Sequence, residues 1–244
     1  MRGRLVLFAA AIATPGTAHA GRTFYGWLQN TEVMPERGAE IATFVSEENR
    51  KSYEANARQS NWWIGPAIGI NDQLELGLPV EFEWISADGV PPKTNFINFG
   101  AELRYRLVTP DPVNKPDFAP LVRVGLKRVV IGTRDVWQPE LDLVGSYETG
   151  RVHAVVDLGL VGQVNANEHH FEARPGAGVS IAAVSELRFG AEVFSEISLD
   201  DDAKWIAAGP NVAWSHGRTW ISAAYGIGLY HIRDAPKLNW GIAF

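Results

Sequence analysis

The sequence predicts an all-β chain, a closed up-and-down antiparallel transmembrane β-barrel of about twelve strands, with ten or fourteen as the alternatives. Three observations carry this expectation. Apolar and polar residues alternate along one segment after another. After residue 20, no apolar run approaches the roughly 20 residues that a membrane helix needs. The polar side of the alternating segments combines glycine with charges of both signs.

The clearest segment runs from Leu74 to Trp84. Leu74, Leu76, Leu78, Val80, Phe82 and Trp84 share one parity; Glu75, Gly77, Pro79, Glu81 and Glu83 share the other. Strand side chains point alternately to opposite faces, so one face is apolar and the other polar. A helical period would spread the leucines and glutamates around every face. Phe96–Leu107, Arg151–Gln163 and Leu187–Ile197 repeat the pattern. Weaker versions cover Ala39–Glu48, Ser60–Ile70, Leu121–Val130, Val136–Glu148, His170–Ala183, Lys204–Trp214, Thr219–Tyr230 and Lys237–Phe244. Each is about as long as the roughly 9–11 residues of a tilted membrane strand.

Short connections at 71–73, 149–150, 184–186 and 215–218 read as tight turns on one side of a meander. A longer one from Thr109 to Phe118 holds Pro110, Pro112 and Pro116. The opposite side carries 50–59, 87–95, 132–135, 165–169, 199–202 and 231–236. No helical pattern and no second domain is expected.

A soluble sandwich alternates too, but three features favour lipid. Trp62, Trp84 and Trp137 fall at one set of strand ends, and Tyr147, Trp214, Trp220, Trp240 and Phe244 at the other. That distribution suits two aromatic belts at the membrane interfaces. Small residues beside long charged ones suit the concave inside of a closed barrel, and closure satisfies every edge hydrogen bond.

The first twenty residues read as a secretory signal peptide. Arg2 and Arg4 precede the apolar run Leu5–Ala13, and Ala18-His19-Ala20 supplies a small-x-small cleavage pattern. The expected organisation is therefore 1–20 signal peptide, 21–38 N-terminal periplasmic segment and 39–244 barrel. With no cysteine in the chain, disulfides, thiolate metal sites and a cysteine nucleophile are excluded, and no lipid anchor is expected. Losing Arg2 and Arg4 takes the formal charge from −6 to −8, which argues against a nucleic-acid partner.

The chain ends Leu238-Asn239-Trp240-Gly241-Ile242-Ala243-Phe244, an alternating strand closed by an aromatic residue. This resembles the C-terminal recognition strand of bacterial outer-membrane β-barrel proteins. The resemblance implies residence in the outer membrane of a Gram-negative cell, contact with its lipid and lipopolysaccharide, and assembly by the barrel-assembly machinery through that strand. It implies no particular substrate.

The expected lumen carries Glu75, Glu81, Glu83, Glu102, Glu140, Asp142, Asp157, Glu192 and Glu196, with Glu40, Glu48 and Glu172 on weaker strands. Its cations are Arg104, Arg106, Arg123, Lys127, Arg174 and Arg188. Hairpin register suggests Glu75 with Arg106, and Arg174 with Glu196 and with Asp157 as a further partner. The leading expectation is a porin-like channel for passive diffusion of small polar or cationic solutes, the acid excess favouring cations. A closed structural or adhesive barrel is the alternative, since buried charges need partners whatever the lumen does. Phe24, Tyr25, Trp27 and Leu28 are too apolar for a free tail, so 21–38 is expected as a partial plug, an extra strand or a cap on the turns.

No enzyme, cofactor or metal is expected. A lipid-modifying enzyme is the remaining reading, and His153, Asp157 and Ser180 form its best trio; no Gly-x-Ser-x-Gly elbow occurs. Glu168-His169-His170 and Asp200-Asp201-Asp202 lie on successive loops, where metal binding would need a convergence that spacing does not supply.

Overall fold

The computed structural model describes residues 23–49, 58–87, 90–108, 118–130 and 136–244. The expected signal peptide, and the bulk of the connections expected at 50–59, 109–118 and 132–135, lie outside the described residues.

The chain forms β1 (Ala39–Asn49), β2 (Arg58–Gly69), β3 (Leu74–Gly77), β4 (Val80–Ala87), β5 (Val90–Arg106), β6 (Phe118–Val129) and β7 (Val136–Thr149). It continues through β8 (Val152–Val164), β9 (His169–Val184), β10 (Leu187–Ser198), β11 (Lys204–His216), β12 (Thr219–Tyr230) and β13 (Asp234–Ala243). Every pairing is antiparallel, and β1 closes the ring on β13 with Glu40 opposite Ala243 and Asn49 opposite Asp234. β3 and β4 are two halves of one wall strand, both paired to β2 and to β5 with the register unchanged across the break between them. The wall is therefore a closed twelve-strand barrel, as the alternation predicts.

The break between β3 and β4 has a simple cause. Pro79 has no N–H to give to the ladder. Flanking bonds hold the wall together there, Leu78 N–H to the Pro66 carbonyl (2.9 Å) and Gly100 N–H to the Pro79 carbonyl (3.1 Å). At the tight turns, Gly150 and Gly217 take left-handed backbone (φ 57° and 58°), which the twist of two-residue hairpins demands.

Strand parity sorts the faces. Leu158, Phe189, Ile227 and Leu143 are about half exposed and point outward, while Glu75, Asn98, Ser180 and Asn211 point inward and are buried. An apolar belt of this extent in contact with water would be strongly unfavourable, at roughly 25 cal/mol per Å². In hydrocarbon it is the required surface.

One local expectation is corrected. The connection expected at 87–95 is mostly strand, since β5 begins at Val90 and Ala87 pairs with Val90. Pro91 and Pro92 obscured this in the sequence, but they sit where the register slips and no ladder donor is lost from a regular pair. Ile97, of one parity with the outward Phe99, lies at a second register shift opposite Glu81 and Phe82 and lines the interior. Beyond that bulge, Phe96 takes the outer face and packs on Phe82.

Residues 23–34 lie inside the barrel, and Pro35, Glu36 and Arg37 are exposed at its mouth. A turn closed by the Gly38 N–H and the Pro35 carbonyl (2.9 Å), with Arg37 in left-handed backbone, swings the chain from the lumen into β1.

Candidate functional site: a lumen occupied by the N-terminal segment

The segment crosses the lumen, and the wall meets it largely through the segment's main-chain groups. The two carboxylate oxygens of Glu192 accept the amides of Gly26 (2.9 Å) and Trp27 (3.2 Å). Asp157 accepts the amide of Gln29 (2.8 Å), and Glu75 that of Met34 (2.8 Å). In the other direction, Asn239 Nδ2 donates to the Gly26 carbonyl (2.9 Å) and Ser222 Oγ to that of Tyr25 (3.0 Å). Arg104 donates to the Asn30 carbonyl, and Arg106 pairs with Glu32 at 3.3 Å. Charge-assisted bonds of this kind are the stronger class.

Apolar contacts complete the seat. Trp27 stacks on Phe194 (4.4 Å between centroids) and meets the edge of Trp205, while its indole N–H reaches the Ala235 carbonyl (3.0 Å). Tyr25 and Leu28 are buried against the wall at Gly176 and Gly178, where an added Cβ would lie 2.3 Å from Leu28 and 2.6 Å from the Tyr25 ring. Those glycines make room for the segment. The Tyr25 hydroxyl donates to the His153 carbonyl (3.0 Å) and faces His153 Nδ1 at 3.0 Å. Burial pushes its phenol up to about 12.

Beside the segment lies a cavity of 720 Å³. Of the expected lumen residues, Glu75, Glu81, Glu83, Glu102, Arg104, Arg123, Lys127, Glu140, Asp142, Asp157, Arg174 and Glu196 line it. Arg106, Arg188 and Glu192 also turn inward, beneath or beside the segment. Glu40, Glu48 and Glu172 join the lining.

One wall carries a charge ladder. Arg123 reaches Glu102 (2.8 Å), Glu140 (2.9 Å) and Asp142 (2.7 Å), and Lys127 reaches Glu140 (2.7 Å). Arg174 pairs with Glu172 (2.5 Å) and with Glu196 (3.5 Å), the latter as hairpin register suggested. The register sets Glu75 opposite Arg104 rather than Arg106.

The aromatic belt needs one correction. Trp137, Tyr147, Trp214 and Phe244 are exposed on the outer face, and Trp62, Trp84 and Trp240 share the parity of outward neighbours. Trp220 does not belong with them. It is buried inside, donating its indole N–H to Glu40 (2.8 Å). Its parity matches that of Ser222, Ala224 and Gly226, a signal available in the sequence and outweighed there by its position near a strand end. Trp63, Trp205 and Phe194 are further interior aromatics that the sequence reading did not place.

The enzyme trio is dispersed among other partners. His153 faces Tyr25, Asp157 holds Gln29, and Ser180 Oγ accepts from Arg188 Nε (3.1 Å). The two loops weighed for metal do meet, His170 Nδ1 lying 3.1 Å from Asp200. Among the described residues no group of three or more potential ligands is arranged to hold an ion.

A closed twelve-strand wall, an apolar belt and a charged interior are now in place, and solved structures share the arrangement. An outer membrane channel from Pseudomonas putida F1 matches with a TM-score of 0.63 at 10% identity, over 88% of this chain and 98% of that one. The translocator domain of the autotransporter NalP from Neisseria meningitidis matches at 0.54 and 11% identity, over 88% and 90%. The β domain of a Bordetella autotransporter matches at 0.53 and 12% identity, over 85% and 99%. This is the fold of the bacterial outer-membrane β-barrels. The chain is an integral multi-strand protein of that membrane type. No protein-family model and no curated protein matches it.

Proposed function

We propose that this barrel is an outer-membrane channel for the passive passage of small polar or cationic solutes, with residues 23–34 as its constriction. One observation supports the reading above others: a polar cavity of 720 Å³ runs from the loop-side rim at Glu48, Gln59 and Ser198 down to Trp27, Leu28 and Asn30 of the segment. Solute would enter from the loop side and meet the segment, whose retreat or rearrangement completes the path. Twelve strands enclose enough width for a narrow bore once that segment moves. No catalytic step is assigned to the lumen.

The way the segment fills part of the lumen supports a second reading, a closed structural barrel whose interior is permanently packed. Conductance separates the two. Purified protein inserted in planar bilayers should give discrete steps with cation preference, and Glu81→Gln with Glu83→Gln should shift the reversal potential towards zero. Repeated insertions without steps, in the protein and in a variant lacking residues 23–37, would leave the closed barrel standing. In either reading the strand ending at Phe244 engages the assembly machinery, and the belt meets lipid and lipopolysaccharide.

A further inference from the structure

Two charges of opposite sign line the cavity without a counter-ion, one on each side of an aromatic floor. Lys237 is the first. Its ammonium lies over the Phe44 ring at 3.9 Å and over the Trp27 ring at 4.8 Å, and no oxygen among the described residues pairs with it. Glu192, Glu81 and Glu48 act on it through space alone, and Glu192 is committed to the amides of Gly26 and Trp27. Glu81 is the second. Its Oε2 accepts from Asn98 Nδ2 (2.9 Å), while its Oε1 has neither a hydrogen bond nor an ion pair among the described residues. Lys127, which also acts on it, is taken by Glu140 at 2.7 Å. Neither Lys237 Nζ nor Glu81 Oε1 is sealed in the wall; both open on the cavity.

Register lays out the floor between them. Lys237 on β13 stands opposite Ser46 on β1, two residues from Phe44 on the same face. Phe44 stands opposite Trp63 on β2, and Trp63 opposite Glu81 on β4. The two rings stack at 5.4 Å with their planes 7° apart. Gly65 makes room for the indole, since an added Cβ would lie 2.3 Å from it. The strands of the two charged residues are three spacings apart, roughly 14 Å between main chains. Lys237 leans in over Phe44, yet it and Glu81 stop short of an ion pair. A charge shielded from bulk water is costly without a partner, so each end calls for an opposite charge.

We infer that this floor is a binding site for a short peptide with free termini, its ammonium on Glu81 and its carboxylate on Lys237. Both contacts are charge-assisted. An ammonium only donates and a carboxylate only accepts, so the peptide's direction across the floor is fixed. An extended peptide advances about 3.3–3.6 Å per residue, so two or three residues cover the gap that the two side chains leave. Its main chain and small side chains then lie along Phe44 and Trp63. A cavity of 720 Å³ is of the size that holds compact organic ligands. The inference rests on reading the lumen as a solute path and supplies its substrate class.

The test uses the full chain in detergent micelles, titrated calorimetrically with dialanine and with trialanine. Each peptide is offered with free termini, N-acetylated, and C-amidated. Saturable binding of one free peptide per chain is expected, weakened about tenfold or more by either block. Glu81→Gln should erase the preference for a free amine and keep that for a free carboxylate, and Lys237→Met should do the reverse. Lys237→Gln serves should Lys237→Met lose the heat-modifiable mobility of a folded barrel, and the blocked peptides test the unaltered chain in any case. No saturable heat with either free peptide, equal binding of the blocked forms, or preferences unmoved in the variants would each overturn the site. The measurement needs no bilayer, so its failure is distinct from that of the channel reading. Binding without conductance keeps the site in a closed barrel, and conductance without binding removes the site while leaving the pore.

Discussion

Tyr25 places its hydroxyl 3.0 Å from both the carbonyl oxygen and the Nδ1 atom of His153, pinning the N-terminal segment to the start of β8. The hydroxyl has one proton to give, so donation to the carbonyl leaves Nδ1 to carry the ring proton. Burial raises the phenol from its ordinary 10.0 to about 12, so the seat holds the neutral form. That contribution is complete below pH 10 and is lost as pH rises through 12. Single-channel recordings should show a rising open fraction across this window. Tyr25→Phe, which removes hydrogen bonding of about 1 kcal/mol, should be leakier at neutral pH and flat from pH 10 to 12. A parallel alkaline rise in both proteins would assign the effect to another group.

Gly178 tests the segment by shape rather than by charge. A Cβ there would lie 2.6 Å from the Tyr25 ring and 2.8 Å from Leu28, too close for either to stay. Gly178→Val, a good strand residue in its own right, should leave the barrel folded and unseat the segment. Its conductance should approach that of a chain lacking residues 23–37. Conductance equal to wild type in both variants would mean that the segment does not limit flow.

Arg123 and Arg174 make a pair of contrasting cations. Arg123 is buried among Glu102, Glu140 and Asp142, whereas the Arg174 side chain keeps 47% of its exposure. Removing Arg123 strands buried carboxylates, so Arg123→Met should cost about 3–5 kcal/mol. Arg174→Met should cost under about 1 kcal/mol, as exposed pairs do. The temperature at which each barrel loses its heat-modifiable mobility in detergent should fall far more for the first. Equal shifts would contradict the burial difference.

The tryptophan faces have an optical test. In vesicles of brominated lipid, single-tryptophan variants retaining Trp62, Trp137, Trp214 or Trp240 should be quenched, since those indoles face lipid or its interface. Variants retaining Trp220 or Trp205 should keep their emission, because both are buried in the lumen. Quenching at Trp220 would return it to the outer belt.

The wall was legible because a period of two leaves its mark on every strand, and a glutamate at Glu75 or an arginine at Arg123 declares its face directly. Trp220 was misplaced when height along the strand was weighed above parity. The contents of the lumen were far harder to read. Twelve acids against six bases looked like a field for mobile cations, yet Glu75, Asp157 and Glu192 meet main-chain amides of the N-terminal segment. Every residue but proline has such an amide, so these partners leave no pattern in a sequence. What could be read was the need for cover, in Tyr25, Trp27 and Leu28 around a glycine.

The grip on the segment also bears on how freely its text can change. The amides of Gly26, Trp27, Gln29 and Met34 are main-chain groups that any residue but proline would supply, so the carboxylates hold the course of the backbone rather than a spelling. Shape restricts Gly26 against Ala224, Trp27 between Phe194 and Trp205, and the Tyr25 and Leu28 side chains that fit above Gly176 and Gly178. Between those fixed points the stretch is open to rewriting. The barrel is thereby a general holder for a short strand of polypeptide, into which evolution or an engineer can write a different lock without rebuilding the door.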